Sequence, residues 1–188
     1  MKELPMPEDK KQALREMAES AKELLQNESP RKEESWPNRS AEANEPLTIL
    51  VGRADELIDR MQQEIASSKG FFNKLRGKKP AYTEDEILDK ALMMSAFWGE
   101  ALIERFGWHW ALLELEEDED PQVAVISPDA SLSVLPMLFI MHCFQDTDTD
   151  CTVALSYNML LAGKLPSGVN PGDYVSLTTR VGRIVSRR

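Results

Sequence analysis

The chain has little of what usually announces chemistry. Its 188 residues include two cysteines, Cys143 and Cys151, and two histidines, His109 and His142. A structural zinc site wants about four Cys or His ligands in tight groups, and this spacing does not supply them. The N-terminus, Met1-Lys-Glu-Leu-Pro5, lacks the apolar stretch of a secretory signal. Both cysteines are therefore expected as reduced thiols rather than as a disulfide. Long apolar runs are missing as well. The longest, Val134 to Met141, spans eight residues and contains a proline, far short of the roughly 18 that a membrane span needs. A cytoplasmic location is the resulting expectation. GxGxxG, phosphate-loop, GxSxG and HExxH motifs are absent, which weakens dinucleotide-binding, NTPase, esterase and metalloprotease readings. Neither a metal nor a cofactor is expected. Positive charge is in deficit too: 22 Lys and Arg against 32 Asp and Glu leave a net charge of -10. Such a chain repels nucleic acid unless a local basic face intervenes.

What is present reads as an α+β chain, with helices packed on a small antiparallel sheet and a helical arm ahead of them. In residues 1–27, Leu14, Met17, Ala18, Ala21, Leu24 and Leu25 recur at three- and four-residue steps, the stripe of an amphipathic helix. Residues 28–46 form a linker rich in proline and charge, interrupted by Trp36. That tryptophan is either docked on the body or an exposed anchor. Residues 47–188 form the domain. A second helix covers 47–67. Lys69 to Lys79 then carries five positive charges and no acid, with Phe71, Phe72 and Leu75 interleaved. That pattern suits either a solvated loop or an anionic membrane surface. Thr83-Glu-Asp-Glu86 is a capping box, and the helix it starts runs to Phe106 with Gly107 as its stop. Strands follow at 108–115, 123–126 and 132–135, the first two joined by the acidic turn at 116–121. Pro136 opens a helix to Gln145. Asp146-Thr-Asp-Thr-Asp150 has the one-three-five spacing of a calcium loop, but Cys151 and Tyr157 stand where glycine and glutamate belong. Capping of a helix over 152–162 accounts for these acids without a metal. The tail from 171 adds one or two strands, and Arg180, Arg183, Arg187 and Arg188 follow.

The richest segment is Ala91 to Pro136. Three of the four tryptophans and one of the two histidines fall between Trp98 and Trp110. Gly99 sits mid-helix, where glycine costs roughly 1 kcal/mol against alanine, and close approach of another element is the usual reason. Trp98, Glu100, Trp108, His109 and Trp110 are the candidate binding residues. Glu100 has two readings: a site carboxylate near His109, or an acceptor for an indole or backbone N–H. On a strand, Trp108 and Trp110 face one side and His109 the other. No partner set for nucleophilic catalysis accompanies His109, and no catalytic residue is assigned.

Phe97-Trp-Gly-Glu-Ala-Leu102, Phe106-Gly-Trp-His-Trp110, Val125-Ile-Ser-Pro128 and Leu135-Pro136 together resemble an uncharacterised bacterial domain-of-unknown-function family of about ninety residues. The resemblance implies a glycine-interrupted helix on a small antiparallel sheet and no particular activity. The functional expectation is a non-enzymatic protein–protein interaction module that takes a protein partner through the arm's apolar stripe, provided that stripe is not already docked on the domain. Two alternatives stand beside it: a ligand-binding or enzymatic site at Glu100 and His109, and membrane-surface attachment through 69–79.

Overall fold

A computed structural model describes residues 1–27, 45–69, 80–115, 120–146, 148–165 and 167–178. The expectations placed on the linker with Trp36, on the basic stretch 70–79, on the acidic turn 116–119 and on the C-terminal arginines lie outside these residues. The elements are β1 (Lys2–Pro5), α1 (Glu8–Asn27), α2 (Pro46–Lys69), α3 (Glu84–Phe106), β2 (His109–Glu114), β3 (Gln122–Ile126), β4 (Leu132–Val134), α4 (Pro136–Gln145), α5 (Val153–Leu161) and β5 (Val175–Ser176). This is the α+β architecture read from the sequence.

The sheet runs β1-β2-β3-β4-β5 in space. Its first four strands are antiparallel, but β5 joins β4 in parallel through Leu132↔Val175 and Ser133↔Ser176. The sheet is thus mixed rather than wholly antiparallel. The long return from α5 brings the tail back alongside β4, as a parallel pair requires. The edge strand β1 comes from the chain's start, pairing Glu3 with Leu113 and Pro5 with Ala111. Proline is tolerated there because the end of an edge strand leaves its missing N–H without consequence.

Helix α3 is the axis of the fold. Thr83 Oγ1 accepts from the Glu86 amide at 3.2 Å, and Glu86 Oε2 accepts from the Thr83 amide at 2.7 Å, so the capping box forms in full. At the far end Gly107 takes φ 69° and donates its N–H to the Ile103 carbonyl at 3.0 Å, a left-handed cap that favours glycine. Ala91, Met94, Phe97, Trp98, Ala101 and Leu102 between these caps are fully buried. Each large apolar side chain among them contributes roughly 1.5–3 kcal/mol of burial.

The N-terminal helix is not a free arm. Its stripe lies chiefly along α3, with Ala18, Ala21 and Leu25 at 0% exposure. Lys22 reaches Glu104 at 3.5 Å, and Arg53 of α2 donates to the Leu25 carbonyl at 2.9 Å, satisfying an orphan acceptor of α1's last turn. The stripe proposed as a partner contact is therefore covered by the chain's own body.

The sheet has two buried sides. Trp110, Leu112, Val123, Val125, Leu132 and Val134 join the main core with the helices. Ala111, Leu113, Ala124 and Ile126 face the other way and pack with Leu115, Ala130, Leu135 and Tyr174.

Candidate functional site

The aromatic centre arises where α3 meets β2. Trp98, Trp108 and Trp110 all belong to the main core, at 0%, 5% and 5% exposure. Trp98 lies against Phe139 of α4, with ring centroids 5.6 Å apart and planes tilted by 54°. Trp98 Nε1 has no hydrogen-bond acceptor among the described residues. Trp110 lies directly over Gly99: a Cβ added there would stand 2.1 Å from both Cη2 and Cζ2 of the indole and 3.0 Å from Val125 Cγ2. The glycine is the depression into which the ring fits. Its neighbour Glu100 completes the contact, accepting the Trp110 indole N–H at 2.7 Å. A carboxylate acceptor is strong, and it keeps the polar end of a buried indole paired.

His109 points away from this centre. Its Nε2 is 2.8 Å from Glu3 Oε1 of β1, and the histidine side chain is 47% exposed. The Tyr174 hydroxyl donates to the other oxygen of Glu3 at 3.3 Å. Burial, and then the Glu3 charge, hold the Tyr174 phenol above its usual range. Tyr174 adopts a left-handed φ of 46° and packs on the Ala111–Ala124 side of the sheet. Strand alternation separates the two candidate groups: Glu100 serves Trp110 on one side of β2, and His109 serves Glu3 on the other. The five candidate binding residues thus divide into a closed aromatic core and one surface histidine. They do not form one pocket.

A second polar cluster has no counterpart in the sequence reading. Asp55 of α2 faces the start of α5, where its Oδ1 accepts from the Ala154 amide at 2.9 Å and from the Cys151 thiol at 3.3 Å. Thr152, at the helix's own N-cap position, makes no side-chain capping bond. The cap of α5 therefore comes from another helix, not from the acidic run before it. Within that run, Asp146 accepts from the Asp148 amide at 3.0 Å and from the Thr149 hydroxyl at 3.2 Å, forming a local turn. Gln62 of α2 donates to the carbonyls of Asp146 and Thr149 at 2.9 and 2.8 Å. Two side chains of α2, seven residues apart, thus hold the connection between α4 and α5. Among the described residues, no group of three or more His, Cys, Asp or Glu is placed to hold a metal ion.

Carboxyls gather in this corner. Burial pushes the Asp55 carboxyl up to about 6, against the donors from Ala154, Cys151 and Val153, and Asp59 adds to the rise. Burial also raises Asp59, with Asp150 and Glu56 adding to it. The neighbouring Cys143 thiol, then burial and the Asp55 charge, hold the Cys151 thiol well above its ordinary range. Cys143 is fully buried, and Cys151 is partly exposed.

No protein-family model, no curated protein and no solved structure matches the chain. The resemblance of the central segment to a bacterial family of unknown function gains no support from these comparisons. Among the described residues, no helix is long and apolar enough to cross a membrane.

Proposed function

We propose that this chain is a non-enzymatic protein-interaction module whose contact face is formed by α4 and α5. The observation that carries the reading is a contrast of charge with exposure. No charged residue occurs from 130 to 145 or from 151 to 163, although 29% of the chain is charged. Yet Leu138 of α4 is 57% exposed and Leu155 of α5 is 44% exposed, with Leu165 beyond α5 at 54%. Met137, Met141 and Met159 are part-exposed on the same helices. Interface centres are depleted of charge and enriched in methionine. The other candidate surface, the stripe of α1, is occupied by α3. Asp148 and Asp150, exposed on the connection between the two helices, favour a partner that presents apolar side chains flanked by Lys or Arg.

The test compares the full chain with a Leu138→Asp/Leu155→Asp variant, both shown to be folded by circular dichroism. Each serves as bait in parallel captures from the native host. A protein held by the parent chain and released by the variant supports the face. Equal capture by both chains contradicts it.

A further inference from the structure

We infer that the partner of the α4–α5 face is a second copy of this chain, seated by antiparallel pairing of α5 with α5 across a two-fold axis. This rests on the reading of that face as the contact surface and adds its occupant. Three placements carry it. First, the outward ridge of α5 centres on Leu155, 44% exposed, and on Met159, one turn later and part-exposed, while Val153, Ala154 and Tyr157 turn inward and are buried. Second, acid lies beyond one end of the helix, at the exposed Asp148 and Asp150, and base beyond the other, at the exposed Lys164. Third, both ends are held by hydrogen bonds. Gln62 donates to the carbonyls of Asp146 and Thr149 at 2.9 and 2.8 Å. At the far end, Gly163 donates its N–H to the Leu160 carbonyl at 3.0 Å and Lys164 to the Met159 carbonyl at 2.8 Å. With Gly163 at φ 62°, this is a Schellman closure, and it fixes Lys164 directly past the last turn.

A two-fold interface uses one patch on both copies, so that patch must complement itself. The exposed face of α5 does. Leu155 and Met159 lie two positions either side of Tyr157, and Asp150 and Lys164 lie seven either side. A two-fold axis level with Tyr157 therefore sets Leu155 of each copy against Met159 of the other. The same register brings the Asp150 end of each helix beside the Lys164 end of its mate. The two helix dipoles then run in opposite directions, which is the favourable arrangement. Leu138 of α4, 57% exposed, widens the apolar centre.

Charge selects this face for self-pairing. The chain carries a net charge of -10, so two copies repel across most of their surfaces. That repulsion is weakest over the uncharged runs 130–145 and 151–163. At the rim, the two crossed Asp–Lys contacts turn it into attraction and fix the direction of pairing.

Sedimentation equilibrium of the full chain over roughly 1–500 µM is expected to show monomers passing into dimers. Leu155→Asp is expected to leave monomers throughout. Lys164→Glu sets like charges together at both crossed contacts and is expected to weaken the dimer by about tenfold. Adding Asp148→Lys and Asp150→Lys to Lys164→Glu is expected to restore it to within about threefold of the parent chain. In a mixture of isotope-labelled and unlabelled chains, a carbodiimide is expected to join Lys164 of one copy to Asp148 or Asp150 of the other. This mapping uses the parent chain alone and stands if a variant fails to fold. A parent chain that stays monomeric across the range overturns the self-pairing. The face itself then stands or falls by the host capture, where release of a different protein by the Leu138→Asp/Leu155→Asp variant keeps it. A dimer that survives Leu155→Asp, or one indifferent to Lys164→Glu with no cross-link at Lys164, overturns the antiparallel seat.

Discussion

Helices α2 and α3 each carry an interior glycine followed closely by a carboxylate that reaches another element, and they put that pair to different uses. In α3, Gly99 is filled by the Trp110 ring, and Glu100 accepts that ring's N–H. Every part of the arrangement is spent on seating one side chain. In α2, Gly52 has nothing within 4 Å of where a Cβ would stand. Asp55 reaches across to α5, where it accepts from the Ala154 amide and the Cys151 thiol. Aromatic density thus marks the packing centre. The buried acid with a raised pKa sits in a less conspicuous place, at the junction of α2 with α5.

The comparison breaks most visibly at Gly99. Gly99→Ala forces the Trp110 ring off its seat, and overpacking of this kind costs typically about 1–3 kcal/mol. With two ring carbons in conflict the upper end is expected, read as a lowered urea midpoint. Asp55 sharpens the other half. Its folded-state value, about 6, lies above the ordinary 3.8, so the folded chain holds this proton more tightly than the unfolded chain does. The contribution of Asp55 to stability is therefore greatest below about pH 4, declines as pH rises toward about 6, and stays low above that. Asp55→Asn removes the decline. Relative to the parent chain, the variant is expected to gain on the order of 2 kcal/mol between about pH 4 and pH 7. Unfolding curves that stay parallel across that range refute the assignment. At Glu100, Glu100→Ala leaves the Trp110 indole unpaired and is expected to cost about 1.5 kcal/mol. Glu100→Gln keeps an acceptor oxygen and costs about 0.5 kcal/mol. Equal losses for the two variants are evidence against the indole bond.

Features with local causes were readable from the sequence. The capping box at Thr83, the stop at Gly107, proline at the start of α4 and the stripe of α1 all follow from neighbours within a turn or two. So did the alternative in which Glu100 accepts an indole N–H, and the opposed directions of Trp110 and His109. Features made by distant partners were not readable. Lys2–Pro5 is too short to signal a strand and becomes one only by pairing with β2. The two-residue β5 exists only beside β4. The acids at 146–150 looked like the cap of α5, but the cap is Asp55, about a hundred positions earlier. A search for polar residues interrupting the apolar stripe of α2 is the one sequence signal that leads to Asp55.

Gly99 is a seat for Trp110 rather than a loose residue in a helix. Measuring unfolding free energies of Gly99→Ala and Gly52→Ala in the same buffer decides it. In open space, alanine is better than glycine in a helix by about 0.5–1 kcal/mol. Gly52→Ala is expected to stabilise the chain by about that amount, and Gly99→Ala to destabilise it by about 3 kcal/mol. A gain in stability at both positions contradicts the account.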